Sequence, residues 1–349
     1  MALFMLVRCE IAHTMVAMGL YSVAFSGVLP LAADLVAEAT SATSCAVGEV
    51  AMASAKPRDL MDSIELICGA ARATIALRGA ELLQWSIGGA PLLWESDPAV
   101  WAETAPILFP IVGWTNGGEV RVAGEAYPLG LHGFARGMDF CAQSLASDRA
   151  RLTLASNEAT LARYPFSFWL CLTYALSERG LATTLTVENR GAGPMPYACG
   201  LHPGFRWPFA GGARGDYAII FAAEEDPLVP EISKQGLFLE SRRKTPLVGR
   251  KLSLDPELFA HEALCFLNAR SRSLRFERKD GAALLIETSN FSHFALWSRP
   301  DAPFLAVESW TGYGDPQDFC GDLFAKPSMR VLEPGAVAHH VALYTHSAA

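Results

Sequence analysis

After Ser63 the chain is built of short apolar runs in which apolar and polar residues often alternate, separated by turn residues. Alternation with a period of two marks a strand with one buried face, because successive side chains leave opposite sides of the backbone. The stretch ATIALRGAELLQWSIGGAPLLWE, Ala73 to Glu95, predicts strand, turn, strand, a Gly88-Gly89 turn and another strand, and a second glycine pair stands at Gly117-Gly118. Further strands are predicted at RLTLAS, FWLCLTYALS, LATTLTVENR, YAIIFAA, SLRFER, ALLIETS, HFALWS, FLAVE and AHHVALYT. In LATTLTVENR, Leu181, Thr183, Leu185 and Val187 share one face, and Thr184 and Thr186 take the other. A short helix is expected near SDPAVWAE, and no amphipathic helix of three or more turns follows residue 63. That pattern excludes a doubly wound α/β fold and predicts an all-β protein, a large antiparallel β-sandwich.

Composition adjusts this picture mainly at the N-terminus. The 349 residues are 51% hydrophobic and 18% charged, enough for one large core or two ordinary ones. Ile11 to Ala33 contains no Asp, Glu, Lys or Arg, a length that could span a bilayer. It nevertheless carries His13, Thr14, Gly19, Gly27 and Pro30, and Arg8 before it is followed by Glu10, a poor positive start for a signal peptide. Residues 1–62 are therefore expected to be an extension outside the folded domain, with disorder, a signal or an anchor as alternatives. Residues 63–349 form the expected sandwich domain, without stable membrane association. The net charge of -8 argues against a nucleic-acid partner. The one dense basic run, Arg242, Arg243 and Lys244, is expected in an exposed loop. Eight cysteines never approach CxxC spacing, which fits buried thiols in a reducing, cytoplasmic compartment better than a zinc cluster or a disulfide scaffold.

Three stretches could carry chemistry. LGLHGFARGMDF places His132 before a glycine, then Phe134 and Arg136. YACGLHPGFRWPF places His202 before a proline that favours an extended backbone, with Phe205, Trp207 and Phe209 at alternate positions as a candidate platform for a sugar ring. The same aromatics could equally be core packing. In FLAVESWTGYGDP, Glu308 shares a strand face with Phe304 and Ala306, followed by Trp310. A carboxylate there needs a partner or a task, and desolvation raises its pKa toward that of a usable base. A structural ion pair with Arg136 or Arg206 is the plainer alternative. No GxSxG, GxxxxGK or GxGxxG is present, and no His-Glu spacing suggests a metal site.

In this order HGFAR (132–136), GLHPGF (200–205) and WSRPDAPFLAVESWTGYGD (297–315), with the entry stretch ILFPIVGWTNGGEVRVAGEAYPLGLHGF, resemble the aldose 1-epimerase (galactose mutarotase) superfamily, in its LacX-like branch. The resemblance runs from about Ile64 to Tyr344. It implies a large antiparallel β-sandwich that interconverts sugar anomers without a cofactor or metal. It implies Glu308 as general base toward the anomeric hydroxyl, His202 as general acid toward the ring oxygen, and His132 as a sugar contact. Arg136, Phe205 and Trp310 complete the expected substrate-binding set. Trp114, Ser309 and Thr311 depart from what the family commonly carries, and are expected to bear on which sugar is bound. Two alternatives remain within reach, a hexose phosphate as substrate and a sandwich that binds carbohydrate without turning it over. A glycoside hydrolase would need a second carboxylate, for which Asp315 or Asp216 are the candidates.

Overall fold

A computed structural model describes residues 62–299 and 301–348. The expected all-β class holds: nearly every run singled out above is a strand, and all ladders between strands are antiparallel. A nine-stranded sheet has Val337–Ser347 near its middle, flanked by Gly180–Asn189 and Ala283–Ser289. A six-stranded sheet centres on Phe304–Trp310, which pairs with His293–Trp297 on one side and with Gly200–Leu201 and Gly204–Arg206 on the other. The two sheets meet in one core: Leu201, Phe205, Leu305 and Val307 from the second join Leu170, Leu185, Ile286 and Tyr344 from the first. The Phe205 and Tyr344 rings, 5.6 Å apart, join the layers.

Two local expectations are corrected. Ser96 to Glu103 is not helical; the Asp97 carboxylate accepts the Ala99 N–H at 2.8 Å, and Asp97 bridges Trp101 to close a turn. The turn forms because Asp next to Pro98 competes locally for backbone N–H groups. The α-helical turn among the described residues is instead Glu158–Leu161, started by a reciprocal cap between Asn157 and Thr160. Arg242 to Lys244 is not a loop; it ends the strand Phe238–Lys244, which pairs with Leu228–Ile232, and Arg243 donates to the carbonyls of Glu262 and Ala263.

Of the six cysteines described, all free, Cys171, Cys199 and Cys265 are buried and Cys141 and Cys320 exposed, so buried thiols make up half of them. No helix among the described residues is long and apolar enough to cross a membrane. The extension expected over 1–62, including the apolar stretch 11–33, lies outside the described residues except for Asp62, whose carbonyl accepts the Leu77 N–H.

Candidate active site

The Phe304–Trp310 strand has two unlike faces. Leu305 and Val307 point into the main core, whereas Phe304 and Ala306 belong to a separate apolar cluster on the other face. Glu308 follows Phe304 and Ala306 in this alternation and is 2% exposed. Its Oε2 accepts the Trp310 indole N–H at 3.0 Å and lies 3.1 Å from His202 Nε2. His202 is brought there by the two short strands around it, Gly200–Leu201 and Gly204–Arg206, since both pair with the strand that carries Glu308. Between them, His202 and Pro203 form an extended link. Gly204 is needed because a Cβ there would come within 2.5 Å of the Trp101 ring. That ring lies 5.2 Å from the His202 ring and 5.0 Å from Phe304, and Trp297 lies 5.8 Å from His202.

His132 closes the site from a different loop. Its ring stands nearly perpendicular to that of His202 at 5.6 Å. Its backbone is left-handed, with φ of 61°. Gly113 fixes it twice, accepting the His132 N–H at 2.9 Å and donating its own N–H to Nδ1 at 3.1 Å. With Nδ1 accepting, the neutral ring carries its proton on Nε2. The glycine after it is obligatory, because a Cβ on Gly133 would lie 2.3 Å from the Phe109 carbonyl oxygen. Arg136, on the short 3-10 turn Ala135–Gly137, meets Glu103 Oε2 at 2.8 Å.

Burial dominates the electrostatics. It pushes Glu308 well above the usual carboxylate range, against the opposing Trp310 hydrogen bond. It pushes His202 down to about 3, with the positive charge of Arg136 adding to the effect. His132 is held well below its ordinary value by burial, then by His202 and Arg136. Both partners of the Glu308–His202 contact thus disfavour charge, so the pair holds one proton between Oε2 and Nε2 rather than a fixed ion pair. Such a dyad can accept a proton at one end and give one at the other.

The sequence matches the family described as Aldose 1-epimerase over residues 62–345. The chain belongs to the aldose 1-epimerase family. It is 30% identical over 257 residues to the plasmid LacX protein of Lactococcus lactis subsp. lactis, an alignment covering 70% of this chain and 86% of that protein. Among solved structures it is similar to a galactose mutarotase-like protein from Lactobacillus casei, with 28% identity and a TM-score of 0.76, covering 82% of this chain and 100% of the other. A galactose mutarotase related enzyme from Lactobacillus acidophilus aligns with 25% identity and a TM-score of 0.76, over 82% of this chain and 97% of that one. The fold is therefore the galactose mutarotase-like sandwich, and the chain is of the carbohydrate epimerase and mutarotase class, an isomerase-type family whose members meet sugars.

Within this family frame, the structure brings together His132, Arg136, His202, Glu308 and Trp310 around one point. Trp310 acts there by holding Glu308. Phe205 is a correction. It is 1% exposed and pairs with Leu305, so it points into the main core, away from Glu308. Trp207 and Phe209 belong to the same core. Aromatic alternation identifies a face but not which side of the sheet is solvated. The aromatic rings that lie beside His202 are instead those of half-buried Trp101 and Trp297. Trp297 opens the motif WSRPDAPFLAVESWTGYGD, whereas Trp101 lies in the stretch expected to be a helix.

Two of the departures from the family also face away. Ser309 continues the core-facing side of its strand and is 1% exposed, and Thr311 Oγ1 accepts the Cys199 N–H at 2.8 Å. Trp114 is 42% exposed and lies over Gly236, where a Cβ would come within 1.9 Å of the indole. Phe205→Ala is expected to cost about 3–5 kcal/mol of stability. The fall should appear in the urea midpoint, with KM unchanged for whichever sugar is used. An unchanged midpoint with a raised KM would return Phe205 to the site.

Proposed function

We propose that the protein interconverts the α and β anomers of an aldose by general acid and base catalysis. The observation that carries this reading is the contact of His202 Nε2 with Glu308 Oε2, buried beside two half-buried tryptophans. A hemiacetal opens only when one proton leaves the anomeric hydroxyl as another reaches the ring oxygen. In the carboxylate-imidazolium form of the dyad, Glu308 takes the proton from O1. The O1–H electron pair forms the C1=O bond, and the C1–O5 pair moves to O5, which receives the proton from His202. Rotation about C1–C2 presents the other face of the carbonyl, and closure reverses both transfers. The Nε2–H of His132 is available to hold the ring oxygen, and Trp101 and Trp297 offer faces for the sugar's C–H groups.

A neutral aldose fits better than a hexose phosphate. Arg136, the cation whose charge both site histidines feel, is already paired with Glu103. The two carboxylates considered for glycoside hydrolysis are engaged with other side chains, Asp315 with buried Lys326 and Asp216 with Lys279 at 2.8 Å. Polarimetry of freshly dissolved α-D-glucose and α-D-galactose with the full chain is expected to show accelerated mutarotation of at least one. Sugar binding in calorimetry without acceleration would identify a carbohydrate-binding sandwich instead.

A further inference from the structure

Asp315 and Lys326 form a buried ion pair whose side chains are 5% and 1% exposed. A buried pair contributes little net stability on average, because desolvation offsets the attraction, so its place in the fold is more informative than its presence. Asp315 and the glycine before it make three links to the loop that holds His132. Asp315 Oδ2 accepts the Asn116 N–H at 2.8 Å. Its own N–H donates to the Trp114 carbonyl at 2.8 Å. One residue before it, Gly314 crosses Gly113 so closely that a Cβ on Gly113 would come within 2.6 Å of Gly314 Cα. Asn116 adds two more ties from its side-chain amide, to the carbonyls of Gln317 at 3.0 Å and Phe319 at 3.1 Å. The loop is therefore bound to the 314–319 segment along its length, and Lys326 anchors that segment through Asp315.

Gly113 is also the residue that fixes His132. It accepts the His132 N–H and donates to Nδ1, and His132 holds a left-handed backbone that only surrounding contacts can maintain. We propose that the Asp315–Lys326 pair is a positioning device for His132, clamping Gly113 to Asn116 so that the imidazole stays in its Nε2–H form and faces His202. The inference rests on the reading above only in taking His132 as a sugar contact. The tautomer it fixes can be measured without turnover.

The test is the Asp315→Asn/Lys326→Met double variant, which removes both charges and leaves neither buried alone. In the ¹⁵N-labelled full chain, long-range proton-nitrogen spectra report which His132 nitrogen carries the proton. The native protein is expected to show Nε2–H alone, and the variant a mixture of tautomers. Where mutarotation is measurable, kcat/KM should fall about 10- to 100-fold, as for a catalytic group displaced by about 1 Å. The same double substitution in a His132→Gln background should then cost almost nothing more, because the effect runs through His132. An unchanged His132 spectrum in the folded variant overturns the proposal, as does full additivity with His132→Gln. If the double variant does not fold, Asp315→Glu keeps the charge but lengthens the side chain, and the same spectral change is expected. Should neither fold, the pair is a stability element and the proposal falls.

Discussion

Glu308→Gln is expected to abolish most turnover while the fold and sugar binding survive. Glutamine keeps the shape and an oxygen for the Trp310 indole N–H, but it cannot take a proton from O1. A positioned base contributes roughly 10²–10⁴ in rate, so polarimetry should show acceleration reduced by at least that lower bound, with sugar affinity in calorimetry little changed. Near-native turnover would remove Glu308 from the mechanism. The same variant carries a stability signature. Burial raises the Glu308 pKa above its ordinary 4.5, so between 4.5 and that raised value the native state binds more protons than the unfolded chain. The Glu308 contribution to native stability therefore declines as pH rises through the folded value, against the opposite contribution of the buried His202 and His132, whose lowered values add stability as pH rises. Glutamine does not titrate, so this decline should vanish and the variant should be more stable than the parent at neutral pH. Urea midpoints measured from pH 4 to 8 check this. The same pH dependence in both proteins would mean that Glu308 is not held protonated by burial.

What the sequence shows and what it hides follows from how each feature is encoded. Strands were legible because period-two alternation is local, and the runs from RLTLAS to AHHVALYT fall on strands. The Glu308 and His202 contact was legible because a carboxylate on an apolar strand face and a histidine before proline are each unusual in a short window. Which face of a sheet meets the second sheet is a long-range fact. Phe205 pairs with Leu305 on the core side, while Trp101 reaches the site only because Gly204, 103 positions later, leaves room for its ring. The Arg136–Glu103 pairing spans 33 residues, and no local pattern marks it. Asp315 illustrates the same limit. As one more carboxylate after a glycine-rich turn it resembled a candidate catalytic acid, and only its burial against Lys326 assigns it elsewhere.

His202→Asn is expected to reduce turnover by a similar factor and, more tellingly, to reshape the pH profile. In the native dyad the working form holds one proton. A second proton adds only in strongly acidic solution, because burial holds His202 down to about 3. The single proton leaves only above the raised value of Glu308. The rate should therefore form a plateau between an acid limb near the lower value and an alkaline limb at the upper one. Asparagine removes the acid and leaves Glu308 alone in its apolar surroundings. Residual turnover then needs ionised Glu308, so the rate should rise with pH through the range where the native plateau lies, and the alkaline limb should disappear. Polarimetric rates corrected for the buffer-catalysed background decide the matter. A profile in the variant that keeps the native plateau would transfer the acid role to His132, whose Nδ1 is taken by the Gly113 N–H and whose ring lies 5.6 Å from that of His202.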